Sequence, residues 1–158
     1  MGSHQQHISK MLYFRGLLMR FIGLLLTLFL LSCSADNEKW YQGQWQVTDA
    51  KFPGISAMGM DDARAWFGTK ASYTDTNVSF ADNVCEKPQF TLTALAEAEF
   101  YSVYRARFQQ LGITAQSTEV LTVGCPSDWV APGAVLIKAD NDTGYILWDG
   151  VFFKLDKV

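Results

Sequence analysis

Histidine is the scarcest reactive residue in this chain. Both copies, His4 and His7, fall at the extreme N-terminus. Everything beyond them lacks the imidazole on which Ser-His-Asp and Cys-His nucleophilic sites, histidine general bases and most ordinary zinc sites depend. Positive charge is thin as well. Three of the thirteen Lys and Arg precede residue 33, whereas all sixteen Asp and Glu follow it, which leaves ten bases against sixteen acids and a charge of −6. Nucleic acid is therefore not an expected partner, because phosphate binding needs a basic patch. Serine is plentiful, yet none stands in G-x-S-x-G or S-x-x-K. Asp140-Asn141-Asp142 does not extend into a calcium loop. Internal repeats, low-complexity tracts and long linkers are missing too. These absences predict a single domain with no catalytic residue, no cofactor and no metal site, so the chain is not expected to be an enzyme.

What is present first is a leader. Lys10, Arg15 and Arg20 precede an apolar run from Phe21 to Leu31. Its length suits the core of a signal peptide and falls short of the roughly 20 residues a membrane span needs. The run closes on Leu30-Leu31-Ser32-Cys33, which resembles the lipobox of bacterial lipoproteins. The resemblance implies a signal peptide over residues 1–32, cleaved before Cys33, with Cys33 carrying a diacylglycerol on its thiol and a further acyl chain on its new amino group. Residues 33–39 would be a lipidated tether and residues 40–158 one globular β-rich domain. An uncleaved anchor helix is the competing reading of the leader. In the enterobacterial sorting rule, Asp after the cysteine retains such proteins at the inner membrane. Ser34 stands there, which implies the outer membrane of the bacterial envelope, with the domain in the periplasm or at the surface. Each buried methylene contributes about 0.8 kcal/mol, so several acyl chains anchor without help from the fold.

With Cys33 lipidated, Cys85 and Cys125 remain. An even pair in an oxidising compartment reads as a disulfide. Neither belongs to a C-x-x-C motif, so a structural role is expected over a redox one.

Periodicity supplies the elements. Trp40 to Val47 alternates aromatic and polar residues, as a half-buried strand does. Ser56 is placed to cap a helix running to Trp66-Phe67, with Met58, Ala65 and Trp66 facing the core and Gly68 as its stop. Short strands follow at 71–73 and 78–80, then an alternating strand at 90–95. Phe100, Val103, Tyr104, Phe108 and Leu111 recur at spacings of three and four, which predicts one helix from Glu97 to Leu111. Strands at 118–123 and 134–137 come next. Asp149-Gly150 then joins strands 145–148 and 151–155 in a hairpin. The expected class is α+β and mainly antiparallel β: seven or eight strands in a half-barrel or lipocalin-like barrel, with two helical insertions. Gly43-Gln44-Trp45 resembles the G-x-W of the first lipocalin strand, and first and last strands are expected to meet.

Three acid pairs, Asp61-Asp62, Glu97/Glu99 and Asp140/Asp142, stand at expected helix starts and in a turn, where structural roles suffice. The aromatic residues are more distinctive. Trp129, in a Pro/Gly-rich loop beside Cys125, is the leading candidate for an exposed binding anchor, set against a core plug closing one barrel end. Trp66 is a second candidate, and Arg105 and Arg107 could meet an anionic group. The leading functional expectation is a small non-enzymatic envelope lipoprotein that binds a protein partner in an inhibitor, immunity or assembly-accessory role. Its acidic surface suits a basic partner. The alternative is a lipocalin-like carrier of a lipid or small hydrophobic ligand.

Overall fold

The period-2 run after Trp40 forms strand β1 (Gly43–Lys51), with Trp45 and Val47 buried on one face. A bulge at Thr48 then shifts the alternation, so that Ala50 rather than Asp49 turns inward. The computed structural model describes residues 39–126 and 131–158, within the compact unit Glu38–Val158. The leader, Cys33, the tether as far as Glu38 and the loop 127–130 that carries Trp129 lie outside the described residues.

The other elements are α1 (Met60–Arg64), β2 (Lys70–Tyr73), β3 (Asn77–Phe80), β4 (Asn83–Glu86), β5 (Gln89–Ala96), α2 (Glu97–Tyr104), α3 (Phe108–Leu111), β6 (Ser117–Gly124), β7 (Val135–Lys138), β8 (Thr143–Trp148) and β9 (Val151–Lys157). The nine strands make one antiparallel sheet in the order β4-β3-β2-β1-β9-β8-β7-β6-β5. The sheet curls into a half-barrel, and the first and last strands pair as expected. The ninth strand is β4, which sequence periodicity does not reveal. It is joined to β3 by a tight turn in which Ala81 takes φ 50° without a glycine to mark it.

The two edge strands, β4 and β5, are separated in sequence only by Lys87 and Pro88. Eight antiparallel steps lie between them across the sheet, so both run the same way. They behave as one strand bent at Lys87, which sits at φ 55° and whose N–H donates to the Thr76 carbonyl at 2.9 Å. The first half pairs with β3 and the second with β6. The Cys85–Cys125 disulfide joins β4 to the residue that follows β6, with Cα atoms 5.8 Å apart. On a chain-entropy account, a loop of this separation contributes about 4 kcal/mol.

Apolar side chains divide between the two faces. Trp45, Val47, Tyr73, Phe80, Leu121, Leu136, Ile146, Phe153 and Leu155 fill the inside of the curl. On the outside, Phe100, Ala106, Phe108 and Leu111 cover Val120, Ile137, Tyr145 and Phe152. The helices α2 and α3 are thus an external strap over β6–β9, while α1 is the second insertion.

Two helix expectations need correction. The helix after β1 begins at Met60 with Gly59 as its N-cap, whereas Ser56 donates its hydroxyl to the Met58 carbonyl, 2.8 Å away. Met58 and Trp66 pack against the core as expected, but Ala65 is exposed and Ala63 is the buried residue of the helix. The single helix from Glu97 to Leu111 is two helices, broken at Arg105 in the left-handed region. The break lets Ala106 bury completely and resets the chain so that Phe108 packs on Phe100, with ring centroids 5.2 Å apart. Val103, expected in the stripe, is exposed. All three helices start alike. The third residue reaches back to the N-cap N–H: Asp62 to Gly59 at 3.4 Å, Glu99 to Ala96 at 3.2 Å and Gln110 to Arg107 at 2.7 Å. Among the described residues no helix is long and apolar enough to cross a membrane.

Candidate functional site

Aromatic rings occupy the inside of the curl. Trp66 stacks on Phe153 with centroids 5.0 Å apart and planes 19° from parallel, and its other neighbour is Phe80 at 5.6 Å. Tyr41 lies 5.1 Å from Phe90, and Trp40 meets Trp45 edge-on at 6.5 Å. The Trp45 indole donates to the Tyr41 carbonyl at 2.9 Å, whereas the buried Trp40 Nε1–H has no acceptor among the described residues. Trp66 is therefore a half-buried member of this stack. The hollow it lines with Phe80 and Pro132 holds about 260 Å³ and opens to solvent.

Arg105 and Arg107 both lie on the external strap, Arg105 at the C-cap of α2 and Arg107 at the N-cap of α3. The Arg105 N–H caps α2 by donating to the Tyr101 carbonyl, 3.0 Å away. The Arg107 guanidinium lies 4.1 Å above the Tyr101 ring. Val103 and both arginines are exposed on the strap. Cys85 and Cys125 are joined, as expected.

The bulge in β1 gives the outer face a polar cleft that sequence reasoning misses. It turns Asp49 and Lys51 outward beside Lys154, Tyr145 and Thr143, and Gln109 and Gln110 of α3 close the far side around about 540 Å³. Asp49 meets Lys51 at 2.6 Å, and Asp156 meets Lys154 at 2.7 Å and the Thr48 hydroxyl at 2.7 Å. The Lys51 ammonium holds the Asp49 carboxyl below the usual carboxylate range. Burial pushes Asp156 the other way, but hydrogen bonds from Lys154, Thr48 and Thr143 outweigh it and the net direction is down. Burial raises the Tyr145 phenol, helped by the nearby carboxylates. The cleft thus presents paired, ionised groups. A general acid at neutral pH needs a carboxyl shifted upward.

The three acid pairs also face backbone or cations. Asp61 pairs with Arg64 at 2.9 Å, and Glu97 accepts the Phe108 N–H at 3.3 Å. Asp140 accepts the N–H groups of Asp142 and Thr143 in the turn before β8.

A second feature missing from the sequence reading is the edge strand β5. Leu92 is 45% exposed, and its neighbours Thr91, Thr93 and Ala94 are exposed too. The signal was available: from Gln89 to Ala96 there is no charged residue and no proline. No protein-family model matches the chain, and no curated protein or solved structure matches it.

Proposed function

We propose that this chain is a small lipid-anchored protein of the bacterial envelope, held at the outer membrane through Cys33, whose domain docks a protein partner without doing chemistry on it. The observation that carries the reading is the occupancy of the half-barrel interior. Trp66, Phe153, Phe80, Trp45 and Tyr41 take the space that a carrier would leave for its cargo. The hollow beside Trp66, at about 260 Å³, falls below the ~300 Å³ at which ligand pockets begin. Apolar side chains exposed to solvent stand instead at Ile55, Val84, Leu92 and Val103. A chain with sixteen acids and ten bases beyond the leader suits a basic partner.

The test is purification of the full chain from detergent-solubilised envelope beside a Cys33→Ala form, with mass spectrometry of what co-elutes. A stoichiometric basic protein with both forms is the expected result. A lipid or small molecule released on denaturation, with no protein, would replace this reading by the carrier. A Cys33→Ala chain that stays in the membrane fraction would remove the anchor from the proposal.

A further inference from the structure

We infer that β5 is a self-association edge, pairing antiparallel with β5 of a second copy of this chain on a two-fold axis through Leu92. This goes beyond the partner-binding reading and does not depend on it.

The backbone geometry selects the residues. The Val123 N–H donates to the Ala134 carbonyl at 2.8 Å, so Val123 faces β7. Alternation along β6 then turns Thr122 towards β5, where it stands opposite Thr91. The register between β5 and β6 runs unbroken from Gln89↔Gly124 to Ala96↔Ser117. Gln89, Thr91, Thr93 and Leu95 are therefore the residues bonded to β6, and Phe90, Leu92 and Ala94 point their N–H and C=O groups outward. The outward row has defined ends. Pro88 has no N–H to offer, and the Ala96 N–H is already held by the Glu99 carboxylate.

One antiparallel register uses all three outward residues of both copies. It sets Phe90 opposite Ala94 and Leu92 opposite the second Leu92, with about six new hydrogen bonds, two per pair. Sliding by one repeat drives an outward residue onto Pro88 or Ala96, neither of which has a free N–H. The paired strip from Gln89 to Ala96 carries no charge, so no like charges oppose one another along it. The exposed Leu92 side chains meet on the axis. Isologous pairing of this kind is self-limiting: it closes a dimer and leaves no free β5 edge. Natural sheets commonly blunt open edges with charge, proline or bulges, none of which occurs between Gln89 and Ala96.

The test is light scattering behind size exclusion on the full chain in mild detergent, disulfide intact. A homodimer is expected at micromolar concentration. Leu92→Lys sets like charges face to face on the axis and is expected to give a monomer with an unchanged circular-dichroism spectrum. Leu92→Cys is expected to form a covalent dimer on mild oxidation, because hydrogen-bonded partners stand about 5.5 Å apart, inside disulfide range. Ala96→Cys, which faces Pro88 of the other copy, is not. A wild-type monomer up to about 100 μM, a Leu92→Lys dimer, or equal cross-linking at residue 96 overturns the proposal. A strand of a different protein bound at β5 of a monomer does so too. If Leu92→Cys misfolds, the wild-type mass and the Leu92→Lys result decide.

Discussion

Trp66 lies against Phe153 like one plate on another, 5.0 Å between centroids and 19° between planes. The pair ties the segment after α1 to the last strand. It explains why a short helix with a single buried residue, Ala63, holds its place.

Trp66→Ala is expected to destabilise the protein by about 3 kcal/mol, the low end of the range for losing a large ring, because Trp66 is only half-buried. Trp66→Phe keeps the stack and is expected to cost less than half as much. Urea unfolding followed by circular dichroism measures both. A loss below about 1 kcal/mol for the alanine form would mean the ring serves binding and not packing.

Tyr73 makes a buried polar contact inside the curl. It is fully buried, and its hydroxyl donates to the Gly133 carbonyl at 3.0 Å, which fixes the chain entering β7 against β2. Burial pushes its phenol well above the ordinary range, so it stays a donor throughout the working pH. Tyr73→Phe leaves that carbonyl without its donor and is expected to cost about 1–2 kcal/mol in urea unfolding, with no change in fold by circular dichroism.

The parts of the fold legible in the sequence are those that one residue pair or one period decides. Asp149-Gly150 takes φ 50° and 82°, the mirror-image turn its chemistry demands, and β8 and β9 follow in register. The alternation from Trp40 to Val47 gives the inward faces of β1 up to its bulge. What local pattern cannot show is where tertiary burial overrides it. The aromatic spacing from Phe100 to Leu111 continues in phase across Arg105, so one helix is the natural reading. Only the closed space around Ala106 reveals the break. The turn at Ala81 is hidden for the same reason, since no turn-forming glycine or asparagine occupies the strained position. The polar cleft needs the Thr48 bulge, and a bulge is set by the partner strand. Composition marks Trp66 as an anchor, and the sheet adds what composition does not show, its half-buried stack on Phe153.

Asp156 links the outer cleft to acid stability. Its folded-state affinity for protons lies below that of an ordinary aspartate, 3.8, because Lys154, Thr48 and Thr143 bond the ionised form. A depressed carboxyl contributes stability that is present above the unfolded value and is lost as pH falls through the folded one. Unfolding free energy is therefore expected to decline as pH drops below 3.8. Asp156→Asn is expected to be less stable than wild type at neutral pH and to converge on it in acid. Urea midpoints across this window measure the convergence. A constant offset at every pH would assign the effect to lost hydrogen bonds and not to charge.

Arg105 separates stability from recognition. It holds φ 55° at the end of α2, a conformation that costs an L-residue with a side chain about 1–2 kcal/mol and glycine nearly nothing. The position keeps its backbone N–H on Tyr101, and no charged partner holds the guanidinium among the described residues. Arg105→Gly is therefore expected to raise stability by about 0.5–1 kcal/mol after glycine's own entropy cost. Thermal unfolding should show this as a midpoint a few degrees higher. The same variant removes one of the two exposed cations of the strap. If the strap contacts an anionic group of a partner, affinity falls while stability rises, and Arg107→Ala lowers affinity with stability within about 0.5 kcal/mol of wild type. Equal affinity in all three proteins would leave the strap a packing element alone, with the arginines solvating the helix pair that covers β6–β9.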